Sequence, residues 1–301
     1  MDAVAASASP APDDCSLLVA ITFHHVPRRV TYLLDVVRAL ADFAVRRMDI
    51  RVMINDVPQA VIDGLHEMLA GTLPRGASIA FQRCRDLAHP FELAWAHKPL
   101  IPREFLAAGS PYTHFVYLED DMRFGFRNFR YFLDYRAALA PFGLIPSFLR
   151  VEYCAAAQEM RSTDLHYTLP FRRLGKVEIG PYVFAAHSNP YCAIYVLDHE
   201  LAREYVASAS FGLTTSAQVR NIGTRERSAM GLCWENIPRG YRSRYAVPFD
   251  LNRQAAAAEC WVPHLPNNYA ERPTSASGKL AMRHLLVPPP EAAPADASGG
   301  C

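Results

Sequence analysis

The chain has 301 residues, half of them hydrophobic and a fifth charged, a composition that suits a folded chain with a sizeable core and excludes an intrinsically disordered one. Its formal net charge of +1 comes from 31 basic and 30 acidic residues, so bulk electrostatics point neither to nucleic acid nor to an anionic membrane surface. Seven cysteines without a Cys-x-x-Cys pair argue against a disulfide framework, and the chain shows neither a signal peptide nor an apolar run of the roughly eighteen residues a membrane span needs. The expected location is cytoplasmic, with any membrane contact peripheral and at the inner face.

Residues 1–15, rich in Ala, Ser, Pro and Asp, and residues 288–301, rich in Pro, Ala, Ser and Gly, are expected to be disordered tails around one domain over 16–287. Leu17 to Phe23 reads as a buried strand, followed by the polar loop His24-His25-Val26-Pro27-Arg28-Arg29. Val30, Leu33, Leu34, Val37, Ala41 and Ala44 then recur at helical spacing. Asp49 to Asp56 reads as a second strand ending in an acid, and Val61, Ile62, Leu65, Met68 and Leu69 mark a second helix. Alternation of strand and helix at this spacing predicts a parallel sheet with crossover helices.

Ser78 to Gln82 is a third strand, and Asp86 to Lys98 is a helical segment that Pro99 and Pro102 interrupt. A fourth strand, Phe115 to Glu119, is apolar until it runs into Glu119-Asp120-Asp121. Three adjacent carboxylates at the mouth of a buried strand repel one another and lose solvation, so a positive partner is expected among them. A hard divalent cation with oxygen ligands, Mg²⁺ or Mn²⁺, is the simplest such partner; a solvated acidic turn is the other reading. Phe129, Phe132, Leu133, Ala137 and Ala140 form a further amphipathic helix, and Leu144 to Tyr153 a strand-like run. Cys154 to Lys176 breaks the pattern around His166, as a functional loop or lid would. Pro190 to Leu197 is another strand, Asp198 caps the helix through Leu201 and Tyr205, and Glu226 to Trp234 reads as a helix before a loop carrying His264.

The order of a strand with a polar loop, a second strand ending in an acid, and a later strand ending in Glu119-Asp120-Asp121 resembles the GT-A glycosyltransferases, over roughly residues 16–285. That resemblance implies an α/β fold: a single GT-A-like (Rossmann-like) domain with a mostly parallel central sheet flanked by helices. Its nucleotide-binding half would span 16–122 and its acceptor-binding half 123–287. The activity implied is metal-dependent transfer of a sugar from a nucleotide-sugar donor to a hydroxyl of a glycan or glycolipid, with inversion and with Mn²⁺ or Mg²⁺ as cofactor.

Glu119 and Asp121 match the outer, metal-binding positions of the D/E-x-D motif, and Asp120 its ribose-facing middle position. His264 matches the late histidine that completes such metal sites, with His284 a second candidate. Thr22 and His24 at the first strand's end, Asp56 and Lys98 fall on the donor side. Glu226 matches the base of inverting enzymes, with Glu235 as its alternative. Arg161, Arg172, Arg173, Arg225 and Arg227 are candidates to hold phosphate or close a lid, and Trp95 and Trp234 to stack on sugar or base. Two other readings stay open: a metal-dependent phosphohydrolase or nucleotidyltransferase, though no Gly-rich phosphate loop follows the first strand, and a non-catalytic carbohydrate-binding protein.

Overall fold

A computed structural model describes residues 10–286, apart from Arg75 and Ser188. Of the expected tails, 1–9 and 288–301 lie outside the described residues, whereas Pro12–Asp14 forms a 3-10 turn and Cys15 is buried, so order begins before residue 16.

The first half builds strands β1 (Ser16–Phe23), β2 (Arg47–Asn55), β3 (Ala77–Cys84) and β4 (His114–Glu119), with helices α1 (Val30–Ala41) and α2 (Gln59–Ala70) between the first three. The second half begins with α3 (Phe126–Leu139) and continues through β5 (Ile145–Pro146), β6 (Leu149–Cys154), β7 (Glu159–Ser162), β8 (Gly175–Ile179), β9 (Tyr182–Ala186) and β10 (Ile194–Leu197). It closes with α4 (His199–Ala207), α5 (Ser216–Val219), α6 (Thr224–Ser228), β11 (Tyr245–Asp250), β12 (Ala255–Ala256), β13 (Trp261–Pro263) and β14 (Leu280–Ala281).

The fold is α/β, with three sheets among the described residues where one central sheet was expected. The first runs β10-β4-β1-β2-β3, its last four members parallel and β10 antiparallel at the edge. All eight residues of β1 are buried, as are five of the six in β4, because both strands lie inside the sheet with side chains packed on each face. β3, at the other edge, alternates between exposed and half-buried positions. On α1 the buried stripe is Leu33, Val36, Val37 and Leu40, while Ala44 is exposed; on α2 Met68 turns outward. The second sheet, β12-β11-β9-β8, is antiparallel, and β5 adds to β11 in parallel; the third runs β13-β6-β7-β14.

Three local expectations change. Leu144 to Tyr153 is not one strand but β5 and β6 in different sheets, since Pro146 has no N–H to carry a ladder through. The supposed lid from Cys154 to Lys176 holds β7, a 3-10 turn at Phe171–Arg173 and the start of β8. Its polar side chains pair among themselves, Arg161 with Glu159 at 2.9 Å for example, which hid the strand from an apolar-pattern reading. The helix expected from Glu226 to Trp234 stops at Ser228: Gly231 takes φ +55°, with the Tyr245 hydroxyl 2.0 Å from where a Cβ would stand.

Candidate active site

In the first sheet the chain moves outward from β1 to β2 and β3, then returns to place β4 on the other side of β1. The carboxyl ends of β1 and β4 therefore flank a topological switch point, where helices diverge to opposite faces and leave a crevice. A cleft of about 960 Å³ opens there, lined by Thr22, His24, Glu119, Asp120, Asp121 and His264, with Tyr191, Glu226 and Trp234 on other walls.

Thr22 pairs in register with Glu119, and the Asp120 N–H extends the ladder by one bond to the Thr22 carbonyl at 3.2 Å. A turn follows. It is clamped by residues 263–265, where β13 ends: Leu265 N–H donates to the Asp121 carbonyl at 2.9 Å and Arg123 N–H to that of Pro263 at 3.0 Å, and Met122 bridges His264. The positive partner expected of the acids comes from the chain itself. Arg29, at the entry to α1, donates through Nε and Nη2 to both Asp120 oxygens at 2.9 and 2.6 Å, and through Nη2 to Asp121 Oδ2 at 2.9 Å. Such a fork fixes geometry as well as charge.

His264 approaches from the opposite side. Its Nδ1 lies 2.6 Å from Glu152 Oε1 on β6, and its Nε2 3.7 Å from Asp121 Oδ2. Glu152 is held in turn by the N–H groups of Tyr269 and Ala270 at 2.8 and 2.6 Å. A second fork lies beside it on the same face of β6, two residues back, where Arg150 binds both Asp164 oxygens at 2.9 and 2.6 Å beneath the Tyr191 ring. The Tyr191 hydroxyl reaches Glu119 at 3.4 Å.

These contacts pull the acids apart electrostatically. Burial and then the charge of Asp121 push Glu119 up to about 7, and burial pushes Asp120 to about 7 against the pull of Arg29. Burial acts on Asp121 too, but His264, Arg29 and Arg150 hold it below the ordinary carboxylate range. For His264, burial is outweighed by Asp121 and Glu152, which raise it.

No protein-family model matches the chain, and no curated protein matches it. Function has to come from the cleft itself.

A divalent cation fits this corner on two observations. Asp121 Oδ1 is buried and makes no hydrogen bond, so one oxygen of the acid with the strongest hold on its charge is uncommitted. A carboxylate on one histidine nitrogen, leaving the other to face a second acid, is the support a metal-binding histidine requires. Among the described residues no group of three or more His, Cys, Asp and Glu side chains forms a ready-made cage. Two protein ligands with water and phosphate completing the shell is nonetheless how Mg²⁺ is usually held.

Not every expected residue reaches the cleft. Thr22, His24, Glu119, Asp120, Asp121, Glu226 and His264 do, and Trp234 and Arg225 join them. Asp56 does not: it sits at the end of β2, one strand away from the switch point, with its side chain 63% exposed and turned to Arg85 at 3.5 Å. Lys98 lies in the core, bonded to the Tyr205 hydroxyl and surrounded by the rings of Trp95, Tyr195, Tyr205 and Phe211. Glu235 accepts from Ser210 N–H at 2.7 Å and caps a turn instead of facing substrate. Trp95 is buried, its indole N–H tying α6 down through the Thr224 carbonyl at 2.9 Å. Arg227 bonds the Leu213 carbonyl and Ser216 at 3.0 Å, and Arg161, Arg172 and Arg173 lie outside the cleft lining, as does His284.

Arg29, Arg150, Glu152, Asp164 and Tyr191 were not singled out by sequence. One signal existed for two of them: Arg150 and Glu152 are charged residues two apart in an otherwise apolar strand, which puts both on one face.

Proposed function

We propose that this chain is a divalent-cation-dependent glycosyltransferase, moving a sugar from a nucleotide-sugar donor to a hydroxyl of a glycan or glycolipid with inversion. The observation that carries the reading is the meeting, at the switch point of a largely parallel sheet, of Asp121 with a free buried oxygen and His264 oriented by Glu152. Asp121 and His264 would hold Mn²⁺ or Mg²⁺, with Glu119 beside them. When bound, the cation neutralises charge growing on the departing diphosphate without a proton.

The remaining work falls to the chain. Arg29 keeps Asp120 and Asp121 fixed in relation to each other, and Arg28, the next residue back, lines the same cleft and would meet the donor's phosphates. Thr22 Oγ1, buried beside Glu119 without a hydrogen bond, and His24 at the rim line the donor side. Glu226 enters from α6, an element separate from the acidic turn, with its side chain 35% exposed. From there it takes the proton of the attacking hydroxyl as general base. Displacement with inversion requires base and leaving group on different sides of the anomeric carbon, which two separate walls supply. Among the described residues no helix is long and apolar enough to cross a membrane; a cytoplasmic enzyme meeting a glycolipid peripherally is part of the same proposal.

Thermal unfolding with UDP, GDP, CMP and TDP, with and without Mn²⁺, tests it. One nucleotide is expected to stabilise the protein only when Mn²⁺ is present, by about 2.7 kcal/mol at a hundredfold excess over Kd, and Asp121→Ala is expected to lose that shift. Silence with every nucleotide would overturn the reading in favour of a non-catalytic binding protein. Phosphoester hydrolysis needing no acceptor would overturn it in favour of a phosphohydrolase.

A further inference from the structure

The charges lining the cleft do not cancel within it. Arg29 answers Asp120 and Asp121, Arg150 answers Asp164, and Arg225 answers Glu226 at 3.2 Å. Arg28, Arg220 and Arg272 line the same cleft, yet among the described residues none of the three has a carboxylate partner. Against them stands only Glu119, whose hydrogen bond is to a tyrosine. Arg28 precedes the arginine that binds the acidic turn and is assigned to donor phosphate. Arg220 is not.

Arg220 sits between α5 and α6 with its guanidinium 5.0 Å from the centre of the Trp234 ring, and Trp234, Arg220 and Glu226 all line the cleft. A guanidinium held over an aromatic face keeps its position while all of its N–H donors remain for a ligand. A carboxylate partner would have used two. The cleft lining therefore includes a planar cation on an aromatic body as well as the proposed base.

We propose that the acceptor is a sugar bearing a carboxylate, a hexuronic acid, bound through a bidentate contact to Arg220 with its attacking hydroxyl at Glu226. Carboxylate is favoured over phosphate because one free guanidinium is available here: Arg225, the neighbouring cation, is already committed to Glu226. A planar fork matches a planar monoanion. The inference rests on the transferase reading, because it assigns Arg220, Trp234 and Glu226 to the acceptor.

The test measures binding of methyl β-glucuronoside, methyl β-glucoside and glucose 6-phosphate by saturation-transfer NMR and calorimetry, on the full chain and on Arg220→Gln and Arg220→Lys. The glucuronoside is expected to bind at least tenfold more tightly than the glucoside. Arg220→Gln is expected to erase that preference, and Arg220→Lys to restore only part of it, since a point charge lacks the fork. Unfolding midpoints of the variants verify that each is folded. Equal binding of the two glycosides to the unaltered chain, or a preference that survives Arg220→Gln, would overturn the proposal. Tighter binding of glucose 6-phosphate than of glucuronoside would overturn it in favour of a phosphorylated acceptor. Failure of the transferase reading shows separately, as silence of the unaltered chain towards nucleotides and Mn²⁺ while the glycoside preference persists.

Discussion

Two groups of ionisable side chains are buried close to β4, and burial disfavours charge in both, but only one of them is given counter-charges. At the carboxyl end of the strand, burial pushes Glu119 and Asp120 up to about 7, yet Asp121 stays below the ordinary carboxylate range because the elements that cover it bring counter-charges: Arg29 from the entry to α1, and His264 from the segment after β13. Behind the strand, Lys98 has only a tyrosine hydroxyl and four rings, and burial drives its ammonium well below 10.5. His97 is driven the same way, first by burial and then by Lys98, with its Nε2 against the Tyr195 hydroxyl at 2.5 Å and its ring stacked 3.9 Å from that of Tyr117. The first group keeps a charged pair at its centre, Asp121 with Arg29, and the second is held neutral. What separates them is the presence of an opposite charge, not the degree of burial.

The strongest way to break this comparison is to strip the counter-charge from the first group. Arg29→Met takes from buried Asp120 its guanidinium partner and leaves Asp121 to His264, and is expected to destabilise the fold by about 3 kcal/mol, measured by urea unfolding. A loss under 1 kcal/mol would mean that the acids do not depend on the fork.

Acid acts next, and on the neutral side. Burial pushes His114 and His187 down to about 4 and lowers His97, against an unfolded value of 6.5. The unfolded chain thus binds more protons between pH 6.5 and 4. Stability from these histidines is complete above pH 6.5 and drains away as pH falls through that window, by about 2 kcal/mol per histidine at pH 5 for His114 and His187. Glu119 and Asp120, raised to about 7, take up protons in the folded state over the same window and act in the opposite direction. The histidine share is therefore read as the difference in urea midpoint between the unaltered chain and His187→Asn at pH 7.5, 6 and 5; a difference that does not change with pH would show that His187 is not held neutral.

The smallest effect is the most discriminating. Lys98→Met removes a buried amine that nothing neutralises and keeps the length of the chain, so a gain of about 1 kcal/mol is expected. Any nucleotide-dependent shift should stay as it was, because Lys98 does not line the cleft. Loss of that shift would return Lys98 to the donor site.

Much of the site was legible because it is written in adjacent residues. Glu119-Asp120-Asp121 closes an apolar strand, and a strand buried on both faces cannot end in three acids without an answering charge. The answer itself was not legible. Arg29 binds an acid 91 residues away, and Glu152 orients a histidine 112 residues away, separations that no local pattern registers. Asp56 and Lys98 misled for a related reason. An acid at a strand end and a lysine before a proline look the same whether the strand flanks the switch point or lies one place further out, and whether the lysine meets phosphate or four rings.

By itself, then, the sequence determined that β1, β2 and β4 become buried strands and that β4 would end in acids demanding compensation, since apolar runs and charge clusters are properties of neighbours along the chain. Tertiary structure alone decided which carboxylates receive a guanidinium, which histidine is aimed at Asp121, and which cations are left for a ligand. Electrostatic partnership in a folded protein depends on distance through space, and that distance is set only when β1 and β4 come together beneath elements drawn from the far end of the chain.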